Sequence, residues 1–244
     1  MSATRTIALQ RIERVGAALP VSVRARVVFI GGIVLPLLVN VERRFNAPRT
    51  TKDVDAVMAT TSYGQFVDVE EQLRFANFRH VPDGPISRWI TPAGDVFDLT
   101  AAGSHTGGTG SPVDAIAIEL ARAIPEHTNL KCLSPIGFFL MKVAAFFDRG
   151  QQMPIHSRDL SDLGVLLLGA AGLEKEATET RPEVRALIRT SAAALLDVSR
   201  IESALRSHFH DREPVLPDSP DDLARDAIDV LRSLARVGMD DASG

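Results

Sequence analysis

Two carboxylates, Asp53 and Asp55, stand one residue apart in the stretch RTTKDVDAV, which begins at Arg49. In a β-strand, side chains at i and i+2 point to the same face, so these two acids would lie side by side while Val54 faces a core. Like charges at that distance repel each other unless a positive charge lies between them. A divalent cation is the usual solution, so the spacing indicates a metal site.

A third carboxylate, Asp98, is embedded in the apolar stretch DVFDLT, and the pair Gly31-Gly32 follows the apolar run VVFI. Glycines after a strand let backbone N–H groups approach an anionic ligand, although the same pair also occurs in plain turns. Each acid alone is equally compatible with a solvated strand edge. Together, three strand-borne acids after such a turn predict a two-metal phosphoryl-transfer site, with Asp53, Asp55 and Asp98 as ligands of Mg²⁺ or Mn²⁺.

The pattern of apolar residues predicts an α+β fold that would position these acids. In the first half, strands are predicted near 26–30, 53–58, 86–91 and 95–100. Helices are predicted at 4–18 and 64–77. After a glycine-rich loop, the predicted elements are the helices 113–123, 135–149, 157–169, about 182–208 and 219–237. Ser134-Pro135 and Ser219-Pro220 are typical helix starts. We therefore expect a mixed β-sheet domain with flanking helices at 1–125, followed by an all-α domain at 126–244.

The composition is that of a globular chain, with 244 residues, 45% hydrophobic and 24% charged. This size allows one large domain or two modest ones. The single Cys132 excludes an intrachain disulfide and fits a reducing compartment. The longest apolar stretches are shorter than the roughly 20 residues needed to span a bilayer. We expect a cytoplasmic protein with no role at a membrane.

The net charge of −4 excludes the strongly basic surface of a general nucleic-acid binder. Basic residues nevertheless exceed acidic ones in residues 1–60, and acidic residues exceed basic ones in residues 174–244. The basic first part is compatible with a polyphosphate or RNA ligand. It is equally compatible with solvated surface helices.

His208 and His210 raise the question of a zinc site. At i and i+2 near the end of a predicted helix, their side chains point apart, and no cysteine or third histidine follows at zinc-ligand spacing. We expect no zinc.

Taken in order, five segments resemble the nucleotidyltransferase superfamily, and within it the AbiEii/AbiGii-type toxin-like nucleotidyltransferases that include the MenT toxins. These segments are GG at 31–32, RTTKDVD at 49–55, FDL at 97–99, LMKVAAFFDRG at 140–150 and RDLSDL at 158–163. The superfamily more often has Gly-Ser where this chain has Gly-Gly. Residues 174–244 match no motif that we can assign.

The resemblance implies a nucleotide contact for Lys142, although the apolar helix around it also allows the lysine to extend past the core to solvent. Asp159 is expected near Lys142, holding its ammonium or helping to deprotonate the attacking hydroxyl. Asp162 is expected to support its helix N-terminus. We also expect Lys142→Met to leave stability almost unchanged, because the neighbouring side chains are apolar.

The resemblance implies two overlapping sets of site residues. The expected catalytic residues are Asp53, Asp55, Asp98, Lys142 and Asp159. The expected nucleotide-binding residues are Gly31, Gly32, Arg49, Thr50, Thr51, Lys52, Lys142 and Arg158.

By the same resemblance, the protein is expected to transfer NMP from an NTP to an acceptor hydroxyl. The implied acceptor is RNA, particularly a tRNA 3′ end, and the implied role is that of a toxin neutralised by a separately encoded antitoxin. Three alternatives stay open. In the first, the acceptor is a small molecule such as an aminoglycoside, or else a protein side chain. In the second, the chain is a non-catalytic binding module or antitoxin with the same fold. In the third, it is a structural helical protein whose acids are surface charges.

Overall fold

The computed structural model of the protein describes residues 2–40, 44, 51, 53–59, 63–102, 112–212 and 218–239. The chain forms two compact units. The first unit comprises Met1–Leu37 and Arg49–Gly137, and the second comprises Leu38–Pro48 and Phe138–Gly244. The domain boundary expected from the sequence, between residues 125 and 126, falls between two neighbouring strands of the sheet in the first unit.

The first unit is built on a seven-stranded mixed sheet. Its strands are β1 Val27–Ile30, β2 Asp53–Ala59, β3 Arg79–His80, β4 Arg88–Ile90, β5 Val96–Ala102, β6 Arg122–Ile124 and β7 His127–Cys132. Its helices are α1 Ala3–Ala18, α2 Val21–Arg24, α3 Leu35–Leu38, α4 Tyr63–Phe75 and α5 Pro112–Glu119. The strand order is β3-β4-β5-β2-β1-β7-β6. The pairs β2–β5 and β1–β7 are parallel, and the other pairs of the described sheet are antiparallel.

Side-chain alternation along β2 and β5 separates a core face from the face that carries the acids. On the core face the fully buried side chains are Val54, Ala56, Phe97 and Leu99. On the other face Asp53, Asp55 and Asp98 are half-buried. This is the period of two that a pleated strand imposes, and it fixes both faces by local geometry.

The described residues of the second unit form helices as their only regular elements. These are α6 Pro135–Ala145, whose first residues belong to the first unit, a π-helix Phe146–Gly150, a 3₁₀-helix Pro154–His156, α7 Arg158–Gly169, α8 Leu173–Glu179, α9 Pro182–Leu196, α10 Ile201–His210 and α11 Pro220–Leu234.

The two predicted Ser-Pro helix starts are confirmed. The Ser134 hydroxyl accepts a hydrogen bond from the backbone N–H of Gly137 at 3.1 Å at the start of α6. Ser219 forms a reciprocal capping box with Asp222 at the start of α11. Each serine satisfies a backbone donor that has no partner within its helix.

The fold is mixed α/β and compatible with the predicted α+β class, but two predicted elements are wrong. The helix expected at 113–123 ends at Glu119, and the chain then forms β6 and β7. These strands are mostly exposed and lack a strong apolar alternation, so their pairing within the sheet, and not a local pattern, decides their structure. The helix expected at 182–208 is divided into α9 and α10, with Arg200 at φ +61° between them.

The apolar segments of the sequence are too short to be predicted as bilayer-spanning helices. Among the described residues, every helix is too short or too polar to cross a bilayer.

Candidate metal centre

Strand pairing brings the three predicted acids together. In the parallel pair β2–β5, Asp55 lies directly opposite Asp98, and Asp53 lies two residues before Asp55 on the same face. One oxygen of each carboxylate can be chosen so that the three oxygens lie within 4.8 Å of one another. Oxygens that bind one Mg²⁺ or Mn²⁺ lie at most about 4.2 Å apart, so this spacing is on the scale of a single coordination shell. The acidic triad Asp53, Asp55 and Asp98 could therefore hold a metal ion.

The turn after β1 fits closely around the acidic triad. Ile30, the last residue of β1, pairs with Asp55, and the next residue, Gly31, has φ +72°. A Cβ at Gly31 would lie 2.2 Å from Asp55 Oδ2, so both the backbone angle and the space require glycine here. Gly31 therefore places its backbone directly against one carboxylate of the triad.

A short helix follows the pair Gly31-Gly32. Gly32 lies within the turn, and α3 comprises only the four residues Leu35–Leu38. So short a helix has little macrodipole to offer an anion. The close contact with Asp55, and not a helix N-terminus, is what this turn contributes to the site.

Arg88 is a member of the site that the sequence interpretation missed. Its Nε donates to Asp98 Oδ1 at 2.9 Å and its Nη2 to Asp98 Oδ2 at 2.7 Å, a bidentate pair. Nη2 also lies 3.8 Å from Asp53 Oδ2. The hydrogen bonds to Asp98, followed by attraction to that carboxylate, raise the pKa of the Arg88 guanidinium. A fixed positive charge therefore already compensates part of the repulsion within the triad.

The register of the β4–β5 hairpin would have allowed Arg88 to be predicted as a member of the site. The antiparallel strands β4 and β5 pair Ile90 with Val96 and Arg88 with Asp98. Both strands and their connecting turn were predicted, and paired residues in an antiparallel hairpin keep a constant sum of residue numbers. Counting outward from the turn places Arg88 opposite Asp98.

The segment that leads into β2 is only partly described. The predicted nucleotide-binding residues Arg49, Thr50 and Lys52 lie outside the described residues. The Thr51 hydroxyl donates to the backbone carbonyl of Asp53 at 3.2 Å, and the Thr51 carbonyl accepts a hydrogen bond from Arg11. These contacts hold the chain at the entry to the acidic strand.

In the second unit, Lys142 is buried between two carboxylates. Its ammonium donates to Asp159 Oδ1 at 3.0 Å and to Asp162 Oδ2 at 2.8 Å. The side chains of Lys142, Asp159 and Asp162 are 12%, 6% and 12% exposed. The expected contact between Lys142 and Asp159 is present, but Asp162 binds the lysine, contrary to the role at the helix N-terminus that we expected.

Arg149 completes this charged group. Its Nε donates to Asp159 Oδ2 at 2.9 Å, and its own side chain is 66% exposed. Arg149 lies in the π-helix that interrupts the predicted helix 135–149. Such single-turn widenings often occur at functional sites. We call Lys142, Arg149, Asp159 and Asp162 the charged group of the second unit. Arg158, also predicted to bind nucleotide, is exposed at the first residue of α7.

Opposing effects set the pKa values in this charged group. Burial by itself would lower the pKa of Lys142, but attraction to Asp162 and Asp159 outweighs burial and leaves the pKa raised. Burial would likewise raise the pKa of Asp159, but Lys142 and Arg149 hold it below its ordinary value. Lys142 and Asp159 are therefore both charged at neutral pH.

The histidines considered for zinc lie in α10. His208 is buried, and its Nε2 lies 2.9 Å from the backbone carbonyl of Pro154. Among the described residues, the acidic triad is the group of three or more His, Cys, Asp or Glu side chains arranged so that they could hold a metal ion.

Comparison with models of known protein families gives no match, and comparison with curated proteins finds none of significant similarity. The fold and the site thus define a mixed α/β protein with an acidic triad able to hold a metal ion. Any more specific class is a matter for proposal.

Proposed function

We propose that this protein is a metal-dependent nucleotidyltransferase that transfers NMP from an NTP to an acceptor hydroxyl. The observation that carries the proposal is the convergence of three carboxylates from the parallel strands β2 and β5 beside the Gly31 turn. Oxygen-only ligands favour a hard cation such as Mg²⁺ or Mn²⁺ over zinc. Nucleotidyl transfer is the reaction class that the order of the sequence motifs also favours.

The chain's own residues would hold and orient the reactants. Asp53, Asp55 and Asp98 would bind the cation, which when bound neutralises phosphate charge. The acceptor oxygen forms a bond to the α-phosphorus, the bond from that phosphorus to the bridging oxygen breaks, and pyrophosphate leaves. The proton of the acceptor hydroxyl passes to a carboxylate base. Holding the two reacting oxygens in line is the main contribution of such a site.

The acceptor and the biological role rest on the motif resemblance alone. We propose RNA, in particular a tRNA 3′ end, as the acceptor, and a toxin inhibited by a separate antitoxin as the role. Catalytic roles for Lys142 and Asp159, and nucleotide contacts by Arg49, Thr50, Lys52 and Arg158, stay predictions.

Arg88 favours a second candidate function, a non-catalytic binding module. A permanent ion pair between Arg88 and Asp98 would neutralise part of the triad and remove the need for a cation. In that case the three acids would have a structural role only.

The decisive experiment incubates the protein with each α-³²P-labelled NTP, Mg²⁺ or Mn²⁺, and total RNA. We expect labelled RNA with the parent and with Asp68→Asn, which alters an exposed acid of α4 in the same unit. We expect none with Asp53→Asn or Asp55→Asn, because each removes one metal ligand while leaving the strand pairing intact. Full transfer by either triad variant would refute the proposal, and label on a small molecule or protein would change only the acceptor.

A further inference from the structure

The Arg88 guanidinium lies where the acidic triad needs positive charge. Two of its nitrogens contact both oxygens of Asp98, and Nη2 is also 3.8 Å from Asp53 Oδ2. The triad carries three negative charges within a few ångströms, and Arg88 supplies one positive charge among them. Such a guanidinium stabilises carboxylates that would otherwise repel one another.

A divalent cation bound by the triad would meet this positive charge at close range. Both Asp98 oxygens already accept hydrogen bonds from Arg88, so a cation on Asp98 would lie within a few ångströms of the guanidinium. Two positive charges at that distance repel each other in a partly buried site. The Arg88 side chain is 34% exposed and long, so it can leave Asp98 for solvent without unfolding β4.

We propose that Arg88 is the counter-cation of the metal-free site and that it competes with the divalent cation for Asp98. The inference rests on the metal-binding part of the proposed function and on no property of the nucleotide or acceptor. Arg88 thereby holds the acids together before the metal arrives, and metal binding releases the guanidinium. The released arginine becomes free to contact an anionic substrate.

An opposite role for Arg88 makes the opposite prediction. If the bidentate pair only orients Asp98 toward the metal, then Arg88 supports metal binding, and its removal typically weakens affinity about ten- to hundredfold. Competition and support thus change the affinity in opposite directions. Metal binding without nucleotide distinguishes them.

The experiment measures Mn²⁺ binding to the full-length protein by electron paramagnetic resonance of free Mn²⁺, with no nucleotide present. Arg88→Met should bind Mn²⁺ about two- to fivefold more tightly than the parent, the range expected for a partly exposed ion pair. Arg88→Lys, which keeps the charge, should stay near the parent, and Asp98→Asn should lose the site. In EDTA, Arg88→Met should melt at a lower temperature than the parent and show the larger rise when Mn²⁺ is added, because each cation compensates for the other.

If Arg88→Met does not fold, Arg88→Gln replaces it in the Mn²⁺-binding measurement. Weaker or unchanged Mn²⁺ binding in Arg88→Met or Arg88→Gln would refute the proposed competition between Arg88 and the divalent cation. When the parent binds Mn²⁺ and Asp98→Asn does not, weaker or unchanged binding by the Arg88 variant refutes only the role of Arg88 and leaves the metal site in place. If neither the folded parent nor the Arg88 variants bind Mn²⁺, the metal site of the proposed function fails as well.

Discussion

Replacing Lys142 with methionine should destabilise the second unit by about 3 kcal/mol. This reverses the expectation from sequence, in which an apolar helix tolerates methionine. The structure shows that Lys142 donates to Asp159 and to Asp162, both of which are nearly buried. The substitution leaves two carboxylates in a poorly solvated site without their shared ammonium.

The magnitude follows from what remains of the charged group. Removing one partner of a buried ion pair costs about 3–5 kcal/mol, because the other charge stays buried and uncompensated. Arg149 still binds Asp159 through Nε at 2.9 Å and partly neutralises it. The lower end of the range is therefore expected, and adding Asp162→Asn to Lys142→Met should recover part of the loss.

The pH dependence of unfolding provides an independent check on the direction of the predicted stability change. The folded pKa of Asp159 is lowered, so its ion pairs stabilise the parent above the unfolded pKa of about 3.9. That contribution is lost as the pH falls through the lower folded pKa. Lys142→Met weakens these ion pairs, so the difference in unfolding free energy between parent and variant should shrink as the pH falls below the unfolded pKa of about 3.9.

Urea unfolding followed by circular dichroism at 222 nm measures the change, since helices dominate this signal. Fluorescence of Trp89, the single tryptophan, shows whether the first unit is folded before urea is added. Lys175→Met is the matched control, because Lys175 is 78% exposed and pairs with the exposed Glu179. An unfolding free energy for Lys142→Met within about 0.5 kcal/mol of that control would refute the reasoning.

Two further predictions concern the first unit. Gly31→Ala and Gly172→Ala both introduce a side chain at positive φ, and each should lower stability by about 1–2 kcal/mol in urea. Only Gly31→Ala should also weaken Mn²⁺ binding, because its Cβ would displace Asp55, whereas a Cβ at Gly172 meets open space. Equal Mn²⁺ affinity in both variants would contradict this role of the turn. Burial raises the pKa of the Cys132 thiol to about 11. Alkylation by iodoacetamide at pH 8 should be roughly a hundredfold slower in the folded protein than in urea, and similar rates would show that the thiol is accessible.

The sequence alone determined the features that depend on neighbouring residues. The two-residue period of a strand placed Asp53 and Asp55 on one face, and serine followed by proline marked the starts of α6 and α11. These patterns are local, so no distant part of the chain is needed to interpret them.

Only the tertiary structure decided which distant residues meet. The register of the parallel strands β2 and β5 sets Asp98 opposite Asp55. The strands β6 and β7 escaped prediction because the sheet, and not their own sequence, holds them in place. Asp159 and Asp162 lie three residues apart in α7, but only the packing beside Lys142 decided that both would bind it. Charge compensation is a property of the packed interior, where desolvation makes each partner necessary, and the linear sequence does not contain it.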